Sequence, residues 1–287
     1  MRREEEGKIL HRLEEWAQRE GQLPDSVELY RQLLRIQSEA FSHFTVPKPS
    51  FGEGTVSERS SQGISLLSFQ ELVLDWEQIG NLAREVIALV TKDSPDLANE
   101  VQRVEDITSN AALLEQAVKA WCEGSSLSEI AVAQNVDEQL FAFVIETALK
   151  PFMSAYADVL LPLVDQESWR RRYCPVCGGK PDFAFLDKDK GARWLVCSRC
   201  DAEWLFQRLQ CPYCGTQNQD ALAYFTDDEG VYRLYVCEEC QTYIKAIDLR
   251  RTESDVLLER ILTLDMDVQA QQAGYKKGSL GFAPDIA

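Results

Sequence analysis

Histidine is nearly absent from this chain. His11 and His43 are the only two, and neither lies near the cysteines in sequence. A histidine-built centre gathers several ligands, so both read as structural or exposed. Long apolar runs are missing too. No stretch reaches the ~20 residues that a membrane-crossing helix needs. Behind Arg2 and Arg3, acidic residues stand where a secretory segment would carry its apolar core. The expectation is a cytoplasmic protein with no membrane partner. Positive charge is scarce: 30 Lys and Arg face 47 Asp and Glu, for a net charge of −17. Phosphate-backbone binding rests on clustered cations, so no nucleic-acid partner is expected. Arg170–Arg172 is the one basic run and reads as a solvated linker. The Gly52-x-Gly54 pair lacks the third glycine of a dinucleotide-binding turn.

Cysteine, by contrast, is abundant and ordered. Eight of the nine cysteines fall within residues 174–240, as four Cys-x-x-Cys pairs: Cys174/Cys177, Cys197/Cys200, Cys211/Cys214 and Cys237/Cys240. Read in order they form C-x2-C-x19-C-x2-C and then C-x2-C-x22-C-x2-C. Two such knuckles supply four thiolates to one ion, and a tetrahedron of four sulfurs suits zinc or iron equally. In a reducing compartment metal ligands or redox thiols are favoured over disulfides. Pairing within each consecutive set agrees with the repeat, and an interleaved pairing obeys the same arithmetic. Four protein ligands leave no open catalytic position, so closed structural sites, iron electron transfer and thiol exchange are the three readings. Cys122, the ninth, has no histidine close in sequence and reads as a small apolar side chain.

Charge and periodicity divide the chain. Residues 1–168 carry 14 Lys and Arg against 29 Asp and Glu, a net of −15, while residues 169–287 carry 16 against 18, a net of −2. Helical spacing runs through the acidic part: residues 3–20, then about 27–44, then from the Ser68/Glu71 capping pair to Val90, 96–122, a short helix from Ser128, and one from the Asp137 cap to Val159. Pro151 predicts a kink or a break there. Trp16, Trp76 and Trp121 read as bundle core. Residues 45–65, with several Pro, Gly and Ser, read as a loop or mobile connector, and Asp93–Pro95 as a stop.

From Trp169 the texture changes to short aromatic and β-branched runs with charged turns between them: Phe183–Leu186, Trp194–Cys197, Leu222–Phe225, Tyr232–Val236 and Tyr243–Ile247. The order knuckle, strand, turn, strand, knuckle occurs twice, with Trp204–Arg208 as a bridge. In Cys174-Pro-Val-Cys-Gly and Cys211-Pro-Tyr-Cys-Gly, proline fixes φ and glycine accepts the positive φ that wraps the chain round the metal. The downstream knuckles lack both residues and need another way to turn. Helical spacing returns from about Thr252 to Gly274, and the tail from Lys276 reads as frayed. The predicted fold is α+β and multi-domain: a helical domain over 1–168, a rubredoxin-like, zinc-ribbon-type module over 169–208, and a second over 209–287 with a C-terminal helix.

The cysteine region resembles the formate dehydrogenase accessory protein FdhE family. The resemblance rests on CPVCGGKP (174–181), RWLVCSRC (193–200), EWLFQRLQCPYCG (203–215) and CEECQTYIK (237–245), followed by Leu264-Asp265 and Gly274-Tyr275. It implies a cytoplasmic, non-enzymatic maturation factor, similar to rubredoxin-type iron proteins. Such a factor binds the catalytic subunit of respiratory formate dehydrogenase before export by the twin-arginine route. It assigns no catalytic residue. The metal ligands expected are Cys174, Cys177, Cys197, Cys200, Cys211, Cys214, Cys237 and Cys240, holding two iron or zinc ions. Trp204, Arg208, Tyr243 and Lys245 read either as partner contacts or as ribbon packing. A homodimer is compatible with the chain. The rival classes are a thiol or iron redox protein and a nucleic-acid-binding zinc ribbon, the latter opposed by the charge.

Overall fold

The computed structural model describes residues 2–21, 23–42, 44–47, 51, 54–92 and 97–279. It forms two compact units, one from the described parts of 1–48 and 67–156, the other from those of 49–66 and 157–281.

The first unit is helical. Helices α1 (Arg2–Glu20) and α2 (Asp25–Ser42) follow the predicted spacing. The capping pair at Ser68 and Glu71 forms, with the Ser68 N–H donating to Glu71 Oε2 at 2.7 Å, but it opens only a single 3-10 turn. Helix α4 (Trp76–Val90) begins later, where Asp75 Oδ1 accepts from the Gln78 N–H. The stretch expected as one helix over 96–122 is two, α5 (Ala98–Ser109) and α6 (Ala111–Cys122). Asn110 divides them because its side-chain oxygen accepts from the N–H groups of Ala112 and Leu113 and so starts a new helix. Helix α7 (Ser128–Gln134) precedes α8 (Glu138–Leu160), which continues through Pro151 as one helix. Ile79, Val86 and Ile87 of α4, Val104 and Ile107 of α5, Val118 and Trp121 of α6, and Phe141, Ile145 and Phe152 of α8 are buried together in this unit's core. Trp16 and Trp76 are half-buried. Contrary to the expectation that no stretch is long enough, the helical stretch Glu138–Leu163 could cross a membrane by length and composition, because scattered polar residues hide it as a run; 72 % of its most apolar window is buried inside the protein, as in a core helix. His11 lies exposed beside Glu15, whereas His43 and the stop at 93–95 fall outside the described residues.

The second unit is built on one sheet. Strands β1 (Pro181–Leu186), β2 (Arg193–Cys197) and β3 (Glu203–Phe206) form an antiparallel meander, as do β4 (Leu222–Thr226), β5 (Tyr232–Cys237) and β6 (Thr242–Asp248). The expected bridge at 204–208 is therefore largely strand β3, the counterpart of β6. The halves join where β1 runs parallel to β6, with Phe183 opposite Lys245 and Leu186 opposite Asp248. The strand order is β3-β2-β1-β6-β5-β4. The C-terminal helical spacing resolves into α9 (Val256–Leu262) and α10 (Leu264–Gln272), parted at Thr263. Part of the expected frayed tail is ordered as β7 (Lys276–Lys277), paired with β6, and residues 280–287 lie outside the described part.

The connector expected as a loop contains helix α3 (Thr55–Gln62), opened and closed by Gly54 and Gly63 in the left-handed region. Gly54 and Gly63 read as breakers because they flank a helix of only eight residues.

Candidate metal centres

The four knuckles close by one device. After the second cysteine of each, a residue takes positive φ: Gly178 (72°), Asp201 (57°), Gly215 (82°) and Gln241 (52°). The upstream pair uses glycine, at no steric cost. The downstream pair uses side chains that are held. Asp201 accepts from Arg260 Nη1 at 2.7 Å, and Gln241 Nε2 donates to the Glu238 carbonyl at 2.7 Å. The turn itself recurs, with the Gly178 N–H donating to the Cys174 carbonyl at 3.0 Å and that of Gly215 to the Cys211 carbonyl at 3.1 Å.

These turns gather the sulfurs in consecutive sets, so the pairing is local. Cys174, Cys177, Cys197 and Cys200 form one cluster, and Cys211, Cys214, Cys237 and Cys240 the other, with every sulfur of a set within 4.8 Å of the rest. In the first, Cys174 and Cys200 are 3.6 Å apart, Cys177 and Cys197 3.5 Å, and Cys177 and Cys200 3.4 Å. In the second, Cys211–Cys240 and Cys214–Cys237 are both 3.7 Å. These are not disulfides, which need ~2.05 Å. They suit the edges of a tetrahedron about one ion, since metal–sulfur bonds of ~2.3 Å imply edges of about 3.8 Å. The Val176 and Tyr213 N–H groups donate to the sulfurs of Cys174 and Cys211, each at 3.4 Å. A Cβ added at Gly179 would lie 2.9 Å from the Cys197 sulfur, so the chain must pass that ligand without a side chain.

Electrostatics favour a bound cation. All four sulfur residues of the first centre are buried. Burial pushes the Cys174 and Cys200 thiols up, whereas hydrogen bonds from Cys174, Cys197 and Cys200 hold Cys177 well below the usual thiol range. Four bare thiolates in so dry a site repel one another, and a divalent ion is the charge that permits them. The second centre is more open: Cys211 and Cys237 are buried, Cys240 is half-buried and Cys214 is exposed. Although Cys214 is exposed as a residue, its sulfur faces the other three, and burial still pushes its thiol up. Burial likewise pushes Cys237 up to about 11. Each centre would be held by four protein sulfurs, which gives a metal that braces the fold, or an iron that passes one electron, without an open coordination position. Cys122 lies apart from both sets and is half-buried.

One residue that the sequence did not single out stands at the wall of the second centre. Arg193, on β2 of the first meander, is only 3 % exposed. Its Nη2 donates to the Gln210 carbonyl at 2.5 Å, and its guanidinium lies over the rings of Phe206 and Tyr235 at 5.2 and 5.5 Å. Among the described residues its Nε is buried without an acceptor. Burial pushes it down to about 10, opposed by Tyr235 and by the Cys211 sulfur. It shares a cavity of about 30 Å³ with Arg208, Cys211, Tyr213 and Cys237. A strand-period pattern hides such a residue, because Arg193 reads as the polar start of an exposed strand.

Of the four residues read as contacts or packing, three are buried. The Trp204 indole N–H donates to the Arg171 carbonyl at 2.9 Å. Lys245 Nζ donates to Asp267 Oδ2 at 2.7 Å and the Tyr243 hydroxyl to Asp267 Oδ1 at 2.7 Å, tying β6 to α10. Arg208 alone is exposed.

Fold and centres together define a protein of the zinc-ribbon type, with two four-cysteine ribbons carried on one chain with a helical unit. The FdhE central-domain family matches residues 173–208. The chain is 35 % identical over 162 residues to an FdhE homologue of Aquifex aeolicus, a match covering 55 % of this chain and 56 % of that protein. The match therefore spans little more than half of that relative. It is 26 % identical over 274 residues to a homologue of Shewanella oneidensis, covering 90 % of this chain and 81 % of that one. The crystal structure of the FdhE protein from Pseudomonas aeruginosa shares the fold, with a TM-score of 0.60 at 21 % identity over 97 % of this chain and 94 % of that one.

Proposed function

We propose that this chain is an accessory factor in the formation of respiratory formate dehydrogenase. It acts in the cytoplasm by binding the enzyme's catalytic subunit before export, and it works by contact rather than by catalysis. The observation that carries the reading is the pair of complete sulfur sets on an FdhE-type chain. Four protein ligands per ion fill a tetrahedral shell, so the metals, iron or zinc, serve to hold a surface in shape. The test is capture of the catalytic subunit by tagged protein, together with formate dehydrogenase activity in a deletion strain. Capture and lost activity are expected. A subunit that ignores the protein, with unimpaired enzyme in the deletion strain, overturns the reading.

The exposure of Cys214 favours a second reading, in which the second centre exchanges electrons or thiols with the partner. Metal and thiol analysis separates the two. Two zinc ions per chain without reactive thiols fit the bracing role, whereas iron with a reversible colour change fits the redox role.

A further inference from the structure

The two ends of the sheet are finished differently. At the β3 end the free edge is closed by one side chain. Gln166 Nε2 donates to the Glu203 carbonyl and Gln166 Oε1 accepts from the Leu205 N–H, both at 3.3 Å. That amide does what a residue of a neighbouring strand would do. At the β4 end no strand or side chain among the described residues takes this place. The Ala221 carbonyl accepts from the Glu238 N–H on the β5 side. By the alternation of antiparallel pairing, Tyr224 and Thr226 then turn their backbone groups to the open edge. The sequence of β4, Leu-Ala-Tyr-Phe-Thr, contains no charge and no proline, the usual devices that blunt an edge. Tyr224 and Phe225 are 51 % and 59 % exposed, on opposite faces.

The repeat shows what such an edge accepts. In the tandem order β4 is the counterpart of β1, and β1 receives β6 as a parallel neighbour along that same edge. We propose that the open edge of β4 binds an extended segment of another polypeptide, which adds to the sheet as a parallel strand just as β6 adds to β1. The segment's chemistry follows from the surroundings. Alternate apolar side chains would cover Tyr224 and Phe225. The turn after β4 carries Asp227, Asp228 and Glu229, so lysine or arginine is called for at the segment's C-terminal end. A second copy is the poorer occupant. The complementary β3 end is closed by Gln166, and two chains of net charge −17 repel. The proposal rests on the reading that this chain docks a polypeptide client, and it supplies the surface for it.

The test is fluorescence anisotropy with a labelled peptide of three Val-Thr pairs followed by two lysines. Saturable binding is expected, weakened at least tenfold by Tyr224→Pro, which removes an edge N–H, and several-fold by Asp227→Asn with Asp228→Asn. The same peptide N-methylated at alternate residues leaves the protein unaltered and must also lose at least tenfold. Equal affinity for the methylated peptide overturns the proposal, whether or not the proline variant folds. Concentration-dependent dimers abolished by Phe225→Lys overturn it in favour of a second copy. If wild type and Tyr224→Pro, both metal-loaded, capture the formate dehydrogenase subunit equally, the edge is not the docking surface while the proposed function stands. If neither captures it, that function fails, and the peptide assay still decides the edge.

Discussion

The Leu66 N–H donates to the carbonyl of Pro175 at 2.9 Å, which ties the segment after α3 to the first metal knuckle. Ser65 Oγ donates to the Cys174 carbonyl at 3.0 Å, and the Tyr173 hydroxyl to that of Gly63 at 2.7 Å. Leu66 is 2 % exposed. Leu66→Ala should therefore cost about 2–5 kcal/mol, as for a buried leucine elsewhere, and urea unfolding of metal-loaded protein will show it. Removing the first metal should also release residues 55–66, seen as faster amide exchange there than in α4. Unchanged exchange after metal removal would separate the strap from the centre.

The ribbons were legible in sequence because cysteine spacing and Pro/Gly turns act locally, and five of the seven strands among the described residues fall where aromatic and β-branched runs lie. What stayed hidden was non-local. Strand β3 is only four residues, Glu-Trp-Leu-Phe, and is fixed by pairing with β2. The parallel β1–β6 joint has no turn signature of its own. The strap at 63–66 is held by groups more than a hundred positions away. Asn110 was readable in principle, since asparagine is a strong helix cap, but the apolar spacing on both sides masked the break.

The two centres should lose metal in order. Cys214 is exposed and Cys240 half-buried, whereas all four ligands of the first centre are buried. A chelator such as EDTA should remove one metal ion per chain quickly and the second at least tenfold more slowly. Cys214→Ser should abolish the fast phase alone. A single phase in the wild type, followed by metal analysis, would contradict the asymmetry.

Arg193 should matter to the second centre, although it lies on the other ribbon. Four thiolates with a divalent ion carry about −2, and Arg193 is the buried cation beside Cys211. Arg193→Met keeps much of the packing on Phe206 and Tyr235 but removes the charge. The fast phase of metal release should accelerate several-fold, while the slow phase holds. Arg193→Lys should restore part of the loss. If Met and wild type release metal alike, the arginine serves packing only.

Asp248 sets an acid limit on the sheet. It is fully buried and accepts from Arg250 Nε and Nη2 at 2.8 and 2.6 Å, and from Arg233 Nη2 at 2.7 Å. The Arg250 hydrogen bonds, with Arg233 adding attraction, hold the carboxyl below its usual range against the effect of burial. A folded-state value below the unfolded one, near 3.9, means that the folded chain binds fewer protons. The contribution is then complete above about pH 4 and is lost as pH falls through the lower folded value. Asp248→Asn leaves two guanidinium groups without their anion and should cost about 3 kcal/mol at pH 7. Urea midpoints taken in steps from pH 7 downward should keep that gap to about pH 4.5 and then close it, because protonated Asp248 resembles asparagine. Acid also strips metal from thiolates, but both proteins lose it alike, so the difference between them isolates the carboxylate. A gap that widens as the pH falls would show that Asp248 is bound more tightly as the neutral acid, contrary to its geometry.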